Sequence, residues 1–492
     1  MFGSKRFRPN ATILARAIAH VSPTMFLELL DVFGKIMNHA DPDRSSVSGV
    51  ARTEGDVNIS PHRQLWAEKH IGEETAKLLA RDADAFLHQS LSTPCLNVAG
   101  RAQGIYLIDE EGRRIMDFHG NSAHQLGYGH PSVVEALKRQ LDELPFCPRR
   151  YTNRPAIELA EVLGRLAPGR LNKILFAPSG TGAVGIALKL VRHATRRFKM
   201  ISMWDSFHGA SLDAISVGGE SLFRRDAGPL LTGVEHVPPP VPANCPFGCG
   251  GNCNLRCADY VEYVLEKEGD IAGIIAEPVR ATSVVVPPAE YWQRIRRACD
   301  RHGALLVMDE IPTCLGWTGK MFCCEHFGVE PDIVVIGKGL GGGIFPMAAV
   351  IAREDLDIAP DRALGHHTHE KSPLGAAVGL ATIQCLEREG FLESVQRLGR
   401  HAVERMRAKQ ARCALIREVR GLGLLLAVEL VRPDGAKATD EAEQVMYGCL
   451  HRGLSFKVSD GNILTLTVPL VITVEELDRA IDILERALDD VG

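Results

Sequence analysis

Five short apolar runs, separated by longer stretches with helical periodicity, constrain the fold of this 492-residue chain more than any other feature. Short runs that are apolar throughout are typical of parallel strands buried on both faces, and the stretches between them, such as 291–303, are typical of covering helices. The pattern predicts an α/β fold with a mainly parallel sheet. The runs are KILFA (173–177), KMISM (199–203), AGIIAEP (272–278), ALLVMDE (304–310) and DIVVIGKG (332–339).

Two residues with chemically useful side chains, Asp309 and Lys338, each stand where an apolar run ends. Ligands of open α/β sheets bind outside the carboxyl ends of the strands. We therefore expect the functional site to lie along that edge of the sheet.

Lys338 follows the last apolar run and precedes the glycine-rich stretch GLGGG (339–343). A lysine becomes a nucleophile toward a carbonyl when desolvation lowers its pKa, and a buried strand end supplies that desolvation. Lys338 is therefore a candidate for a Schiff base. Two alternatives remain open, a solvated loop lysine and a dinucleotide-binding turn, although the G-x-G-x-x-G spacing is not clearly met.

Asp309 ends a buried run, so its carboxylate needs a cationic or hydrogen-bonding partner. The protonated pyridine nitrogen of pyridoxal phosphate is such a partner, and this pairing keeps the ring an electron sink. A helix cap or an ion pair at a strand end is the simpler alternative.

A phosphate cradle is predicted at APSGTG (177–182), which lies between the first apolar run and a helical pattern. Backbone N–H groups at a helix start bind phosphate, and the hydroxyls of Ser179 and Thr181 can add to them. Phe207 follows the next run, where its ring can lie over a planar cofactor. The alternative for residues 177–182 is an ordinary tight turn, and the alternative for Phe207 is core packing.

Composition excludes several classes of function. A formal net charge of −5 offers no basic excess for binding nucleic acid, and 45% hydrophobic residues is average for a globular protein. The first residues contain no unbroken apolar segment of membrane length. Thirteen cysteines, an odd number, fit reduced thiols. We expect a cytoplasmic protein with no membrane or nucleic-acid partner.

The segment 237–260 is rich in Pro, Gly and Cys, which predicts a loop inserted between core units. It contains Cys245, Cys249, Cys253 and Cys257 in the spacing C-x3-C-x3-C-x3-C. Four thiolates can enclose zinc, but zinc ribbons separate paired cysteines by two residues. We favour a reduced cysteine-rich insertion and predict no metal, with a structural metal as the alternative.

From about Leu96 onward the chain resembles the class III aminotransferases, because seven motifs of that family occur in the family's order. The resemblance implies pyridoxal 5'-phosphate (PLP) as cofactor and PLP fold type I, with a large, mainly parallel seven-stranded sheet domain and a smaller α+β domain. It also implies a homodimer with shared active sites. The motifs are PSGTGAVGIALKLVR, SFHGASLDAIS, IIAEPV, LLVMDEIPTCLGWTGKMF, PDIVVIGKGLGGGIFPMAAV, THEKSPLGAA and VRGLGL.

The resemblance assigns expected roles to individual residues. Lys338 is the catalytic residue, forming the Schiff base and moving the proton, and Asp309 pairs with the pyridine nitrogen. Ile311 packs on the ring face opposite Phe207. The remaining cofactor-binding residues, which hold the phosphate or the ring, are Ser179, Gly180, Thr181, Phe207 and Thr368, the last reaching the phosphate of the neighbouring subunit.

The expected organisation has four segments. The limits are 1–95 for an N-terminal helical extension, 96–150 for the first part of the small domain, 151–390 for the large PLP-binding domain and 391–492 for the second part of the small domain.

Departures from the family pattern bear on the substrate. Pro312 and Trp317 replace the usual glutamine and arginine of the motif after Asp309, and Thr465 stands where many members carry an arginine that grips an α-carboxylate. Arg280 stands where glutamine is frequent, and a guanidinium suits anion recognition. We expect a small anionic amine whose anionic group is held elsewhere than in the usual clamp.

Four further blocks resemble a branch of the family that acts in phosphonate breakdown as an ammonia-lyase on 1-hydroxy-2-aminoethylphosphonate. The blocks imply release of phosphonoacetaldehyde and ammonia, with Arg149, Arg150 or Arg280 holding the phosphonate. A transaminase that passes the amino group of an ω-amine or amino acid to pyruvate or 2-oxoglutarate is the alternative, and a non-catalytic cofactor-binding protein is a third. The blocks are DFHGNSAHQLGYGHP, LPFCPRRYTNRPA, CADYVEYVLEKEGD and LGHHTHEKSP.

Overall fold

The computed structural model describes residues 60–90, 92–241, 245–249 and 253–492. Most of the predicted N-terminal extension, residues 1–59, lies outside the described residues. Two helices of the described part, Pro61–His70 and Glu73–Ala85, precede the first strand.

A seven-stranded sheet forms the centre of the described chain, in the order β4-β10-β9-β8-β7-β5-β6. Strand β10 pairs antiparallel with both β4 and β9, and the pairs from β9 through to β6 are parallel. The predicted seven-stranded, mainly parallel sheet is therefore confirmed. Its strands are β4 (Leu171–Ala177), β5 (Lys199–Met203), β6 (Val234–Val237), β7 (Ile271–Ala276), β8 (Leu305–Asp309), β9 (Ile333–Ile336) and β10 (Ala348–Arg353).

Helices cover this sheet because their apolar faces match it. In the helix Gly180–Thr195 (α5 below), residues 183–188 are all buried, and the helix Ala289–His302 buries Trp292, Ile295 and Cys299 along one face. The α-helices are α1 (Pro61–His70), α2 (Glu73–Ala85), α3 (Pro131–Glu143), α4 (Arg154–Leu166), α5 (Gly180–Thr195), α6 (Leu212–Val217), α7 (Ser221–Arg224), α8 (Arg256–Glu268), α9 (Ala289–His302), α10 (Pro373–Leu386), α11 (Phe391–Gln410), α12 (Thr439–His451) and α13 (Val474–Asp489).

Two four-stranded sheets are built from the chain segments on either side of the central sheet. In the first, β3 pairs in parallel with β13, so strands from before and after the central sheet share one sheet. The limits of the two-part small domain remain a prediction. The strands of the first sheet are β1 (Ala99–Gln103), β2 (Tyr106–Asp109), β3 (Arg114–Asp117) and β13 (Leu454–Ser455); those of the second are β11 (Ile416–Leu422), β12 (Leu425–Leu430), β15 (Ile463–Thr467) and β14 (Lys457–Ser459).

The predicted loop 237–260 is wrong at its C-terminal end, where α8 begins at Arg256. Cys257, Val261 and Leu265 recur at four-residue spacing and are buried on one face of this helix. The helical periodicity therefore overrides the loop-like composition from residue 256 onward.

None of the helices that the structure describes within residues 60–492 combines the length and the apolar character needed to span a bilayer.

Candidate active site

The predicted site residues gather at the carboxyl ends of the central strands. Asp309 is the last residue of β8, Lys338 is the second residue after β9, and the start of α5 follows β4. Strands β8 and β9 are parallel neighbours with Asp309 opposite Val335, so Asp309 and Lys338 belong to the same edge of the sheet. The fold therefore brings these candidate residues to the edge of the sheet at which the sequence predicts the site.

Asp309 is held by a buried histidine. The Nδ1 atom of His208 lies 2.7 Å from Asp309 Oδ2, and both side chains are at most 2% exposed. The other carboxylate oxygen accepts the backbone N–H of Ile311 at 3.1 Å. These two contacts fix the orientation of the carboxylate, which the sequence alone did not predict. The signal available was the position of His208, directly after the candidate ring-stacking residue Phe207.

A second buried carboxylate, Glu277, lies beside this pair. It accepts the backbone N–H of Ala281 at 3.1 Å and that of Phe207 at 3.4 Å. Burial raises the pKa of Glu277, while nearby His208 lowers it and Asp309 raises it further. Because Glu277 holds the backbone of Phe207, it links the end of β7 to the segment that carries the candidate stacking ring.

The start of α5 has the features of an anion-binding helix end. Ser179 is the N-cap, and its Oγ accepts the N–H of Gly182 at 3.2 Å. The Oγ1 atom of Thr181 lies 2.5 Å from Ser211 Oγ. A Cβ at Gly180 would lie only 2.8 Å from Ile311 Cδ1, so the lack of a side chain keeps the turn close to its neighbours. The first backbone N–H groups of this 16-residue helix are suited to a phosphate.

Lys338 starts a 3-10 helix, Lys338–Gly341, and its side chain is half-buried. Its φ of +47° lies in the left-handed region, which non-glycine residues seldom adopt and which often marks functional positions. Ile311 lies between this turn and α5, because a Cβ at Gly337 would be 3.5 Å from Ile311 Cγ2. One isoleucine therefore contacts both the candidate phosphate cradle and the approach to Lys338.

Trp317, a departure from the family pattern, is fully buried near the Lys338 turn. With the amide of Gln125 oriented to match its neighbours, the Nε1–H of Trp317 donates to the Gln125 oxygen at 3.0 Å. A Cβ at Gly339 would overlap the Gln125 amide at 1.9 Å, so Gln125 packs directly on the residue after Lys338. An uncharged network thus occupies this side of the lysine turn.

Thr465 takes the place of the usual carboxylate-gripping arginine without supplying a charge. The residue is 1% exposed, and its hydroxyl donates to the carbonyl of Thr282 at 2.6 Å and lies 3.1 Å from Ser459 Oγ. This position therefore carries a neutral hydrogen-bonded pair in place of a guanidinium.

Phe207 and Thr368 lie in the segments after β5 and before α10, respectively. The half-buried ring of Phe207 lies 4.5 Å from the ring of Phe223, at an angle of 42°. Thr368 is exposed, and the adjacent His367 approaches the start of α5, since a Cβ at Gly182 would lie 3.4 Å from its Nε2 atom. The stacking role of Phe207 and the reach of Thr368 into a neighbouring subunit remain predictions.

Within the part of the chain that the structure describes, no three His, Cys, Asp or Glu side chains are grouped so that they could hold a metal ion. In the cysteine-rich insertion, Cys245 Sγ lies 3.3 Å from Cys249 Sγ.

Glu310 makes the stability of the site region depend on pH. This fully buried carboxylate accepts the backbone N–H groups of Cys323 and Cys324, at 2.5 and 2.7 Å. Burial raises the pKa of Glu310 to about 7, although these hydrogen bonds lower it. An unfolded glutamate has a pKa of about 4.3, so the folded state binds the proton more tightly. The resulting stabilisation is complete below about pH 4.3 and is lost as the pH rises through about 7.

We therefore expect the melting temperature of the native protein, relative to that of Glu310→Gln, to fall between about pH 5 and pH 7.5. Thermal unfolding of both proteins across this range measures the difference. A difference that stays constant or grows with pH would contradict the raised pKa.

Residues 88–488 match the family model for class III aminotransferases. The chain belongs to this family. It is 48% identical over 457 residues to (R)-1-hydroxy-2-aminoethylphosphonate ammonia-lyase of Vibrio splendidus, covering 89% of this chain and 95% of that protein. It is 36% identical to leucine/methionine racemase of Thermococcus litoralis, covering 84% and 96%.

Among solved structures, the chain resembles a PLP-bound amine transaminase from an uncultivated Pseudomonas species, with a TM-score of 0.76 and 29% identity over 83% of this chain and 99% of that one. This class III aminotransferase-family protein is a PLP-dependent enzyme with the type I fold, as the resemblance in its motifs implied.

The described residues fit the cofactor. A Cβ at Gly180 would lie 2.8 Å from Ile311 Cδ1, so a glycine here allows the helix start, with its free N–H groups, to pack closely on Ile311. The buried, histidine-held Asp309 carboxylate suits a protonated ring nitrogen, and Lys338 belongs to the same sheet edge. The roles of the individual residues follow from this fit as proposals.

Proposed function

We propose that this enzyme is an ammonia-lyase that converts (R)-1-hydroxy-2-aminoethylphosphonate into phosphonoacetaldehyde and ammonia. The observation that carries the proposal is the neutral Thr465–Thr282 pair at the usual carboxylate clamp, together with Arg280, a largely buried arginine in the loop after β7. A phosphonate substrate needs no carboxylate clamp but does need a cation. The 48% identity to the Vibrio splendidus lyase supports the same reaction.

In the proposed reaction, bound PLP supplies an electron sink for the carbon that bears the amine. The Nζ atom of Lys338 takes the proton from that carbon, and the hydroxyl leaves from the neighbouring, phosphonate-bearing carbon. The C–H electron pair becomes the new carbon–carbon double bond, the C–O bond breaks, and the leaving hydroxide takes the proton from Lys338 Nζ and departs as water. Addition of water to the released enamine gives the aldehyde and ammonia, so no keto acid is consumed.

The other side chains hold this arrangement in place. The Asp309 carboxylate would pair with the ring nitrogen, and His208 would keep that carboxylate oriented through its 2.7 Å contact. Phe207, whose N–H is held by Glu277, would lie against the ring. Ser179, Gly180 and Thr181 would hold the phosphate at the start of α5.

Arg280 is the arginine that the geometry favours for the phosphonate. Its side chain is 13% exposed, and its Nε and Nη2 atoms are buried without a hydrogen-bond partner. The nearest carboxylate oxygens, of Asp205 and Asp460, lie 4.0 and 3.8 Å away, beyond hydrogen-bond distance. A buried guanidinium with unsatisfied donors is suited to a bidentate anion. Arg149, by contrast, is exposed and hydrogen-bonded to His366.

We expect Arg280→Gln to raise KM for the aminophosphonate about 10- to 100-fold, because a hydrogen-bonded charged group contributes about 1.5–3 kcal/mol. Steady-state kinetics with Arg149→Gln as the matched control test this. An increase confined to Arg149→Gln would assign the phosphonate to Arg149 instead.

The alternative function is that of a transaminase acting on an ω-amine or amino acid, and the likeness to amine transaminases of known structure favours it. The two functions differ in their need for an amino acceptor. A purified enzyme that consumes its amine substrate through many turnovers only when pyruvate or 2-oxoglutarate is present would be a transaminase. Undiminished turnover without either keto acid supports the lyase.

We also propose a cytoplasmic homodimer in which the exposed loop carrying Thr368 reaches the cofactor phosphate of the second subunit. Light scattering gives the oligomeric state. A monomer with full activity would contradict the shared site.

A further inference from the structure

The cysteine-rich insertion between β6 and α8 brings two thiols together. Cys245 Sγ and Cys249 Sγ are 3.3 Å apart, and the Cys249 sulfur also lies 3.1 Å from Asn254 Oδ1. A disulfide bond is about 2.0 Å long, so a shift of little more than an ångström would join the two sulfurs. The two residues are four positions apart in a turn, where Gly248 has a φ of +69° and its N–H donates to the Cys245 carbonyl at 2.9 Å.

The two sulfurs differ in access and in acidity. Cys245 is half-buried, whereas Cys249 is buried at 8% exposure. Burial raises the pKa of Cys245, but hydrogen bonding with Cys249 and with the backbone of residues 247–249 brings that pKa below its usual value. A more accessible, more acidic thiol beside a second thiol is the arrangement of an attacking cysteine and its resolving partner.

We propose that Cys245 and Cys249 form a redox-active dithiol that a peroxide oxidises to an intramolecular disulfide. The Cys245 thiolate attacks one peroxide oxygen; an S–O bond forms, the O–O bond breaks, and hydroxide leaves. The Cys249 thiolate then attacks the Cys245 sulfur; the S–S bond forms and the S–O bond breaks, releasing the second oxygen as water. Two thiols are oxidised by two electrons in total, and one peroxide is reduced to two waters.

This modification does not depend on the proposed reaction. It also differs from a four-thiolate metal site, in which all four cysteines would be ligands, because only Cys245 and Cys249 take part in the proposed oxidation. Cys253 and Cys257 are therefore expected to stay reduced while the Cys245–Cys249 pair reacts.

The test uses full-length enzyme treated with hydrogen peroxide, with alkylation of the remaining thiols and peptide mapping by mass spectrometry. We expect Cys245 and Cys249 to lose alkylation together, in a cross-linked peptide two hydrogen masses lighter, about tenfold faster than the exposed single thiol Cys95 reacts. Dithiothreitol should restore both thiols. Cys245→Ser should remove the cross-link and leave Cys249 alkylated, whereas Cys95→Ser should leave the cross-link unchanged.

Three results would overturn the proposal. Oxidation of Cys245 no faster than that of Cys95 would show an ordinary thiol. A cross-link between Cys249 and Cys253 would show that Cys245 and Cys249 are not the reactive pair. Thiols that resist both peroxide and alkylation until a chelator removes bound zinc would identify a metal site instead.

Discussion

Lys338→Ala is expected to abolish turnover, lowering kcat by on the order of 10,000-fold or more, while the chain still folds. The variant loses the group that takes the proton from the substrate carbon in the proposed reaction, and no neighbouring side chain is assigned that role. The backbone should tolerate the change, because Lys338 is half-buried in a short turn rather than in the core. Initial rates measured with saturating cofactor give the effect.

Lys189→Ala is the matched control, since it removes an exposed lysine from the surface of α5. It should leave kcat and the melting temperature unchanged. Retained activity in the folded Lys338→Ala variant would refute the assignment of the catalytic lysine, and a variant that fails to fold would be replaced by Lys338→Gln, for which the same loss is expected.

Asp309→Ala is expected to lower kcat about 100-fold or more, because a preorganised charge at a reacting group contributes roughly 2.7–4 kcal/mol to the transition state. The variant also leaves His208 buried without its partner at 2.7 Å. We expect a loss of about 1–3 kcal/mol in the free energy of unfolding, the usual cost of an unsatisfied buried polar group. Steady-state kinetics and denaturant unfolding measure the two effects separately.

Asp309→Asn separates charge from packing at the same position. The amide keeps the volume and can still accept a hydrogen bond from His208, so stability should be close to native while kcat falls as in Asp309→Ala. A purely structural role for Asp309 predicts the reverse, with kcat recovering in step with stability in the Asn variant.

The positions of the site residues could be predicted because they depend on local pattern. Each of the five apolar runs became a strand, and the strand ends carry Asp309 and the approach to Lys338. Strand β6, with Glu235 and His236 among its four residues, has no apolar run to identify it. The antiparallel strand β10 was not among the five runs, although its residues Ala348–Arg353 are apolar in five of six positions; its place between β4 and β9 depends on pairing rather than on local sequence.

The partners of those residues could not be predicted, because they come from distant segments. His208 meets Asp309 across 101 positions, and Thr465 meets Thr282 across 183. The packing of Gln125 against Gly339 likewise joins the loop after β3 to the turn after β9. Such contacts follow from tertiary packing, which residue type and spacing do not specify.

The central claim, a lyase reaction without an amino acceptor, is tested most directly by the products of one incubation. Purified, PLP-loaded enzyme is given (R)-1-hydroxy-2-aminoethylphosphonate with no keto acid, and ammonia and phosphonoacetaldehyde are measured over many turnovers. We predict equal amounts of the two products, formed continuously by the native enzyme and absent with Lys338→Ala. A single turnover that stops until pyruvate or 2-oxoglutarate is added, or no release of ammonia at all, would contradict the lyase assignment.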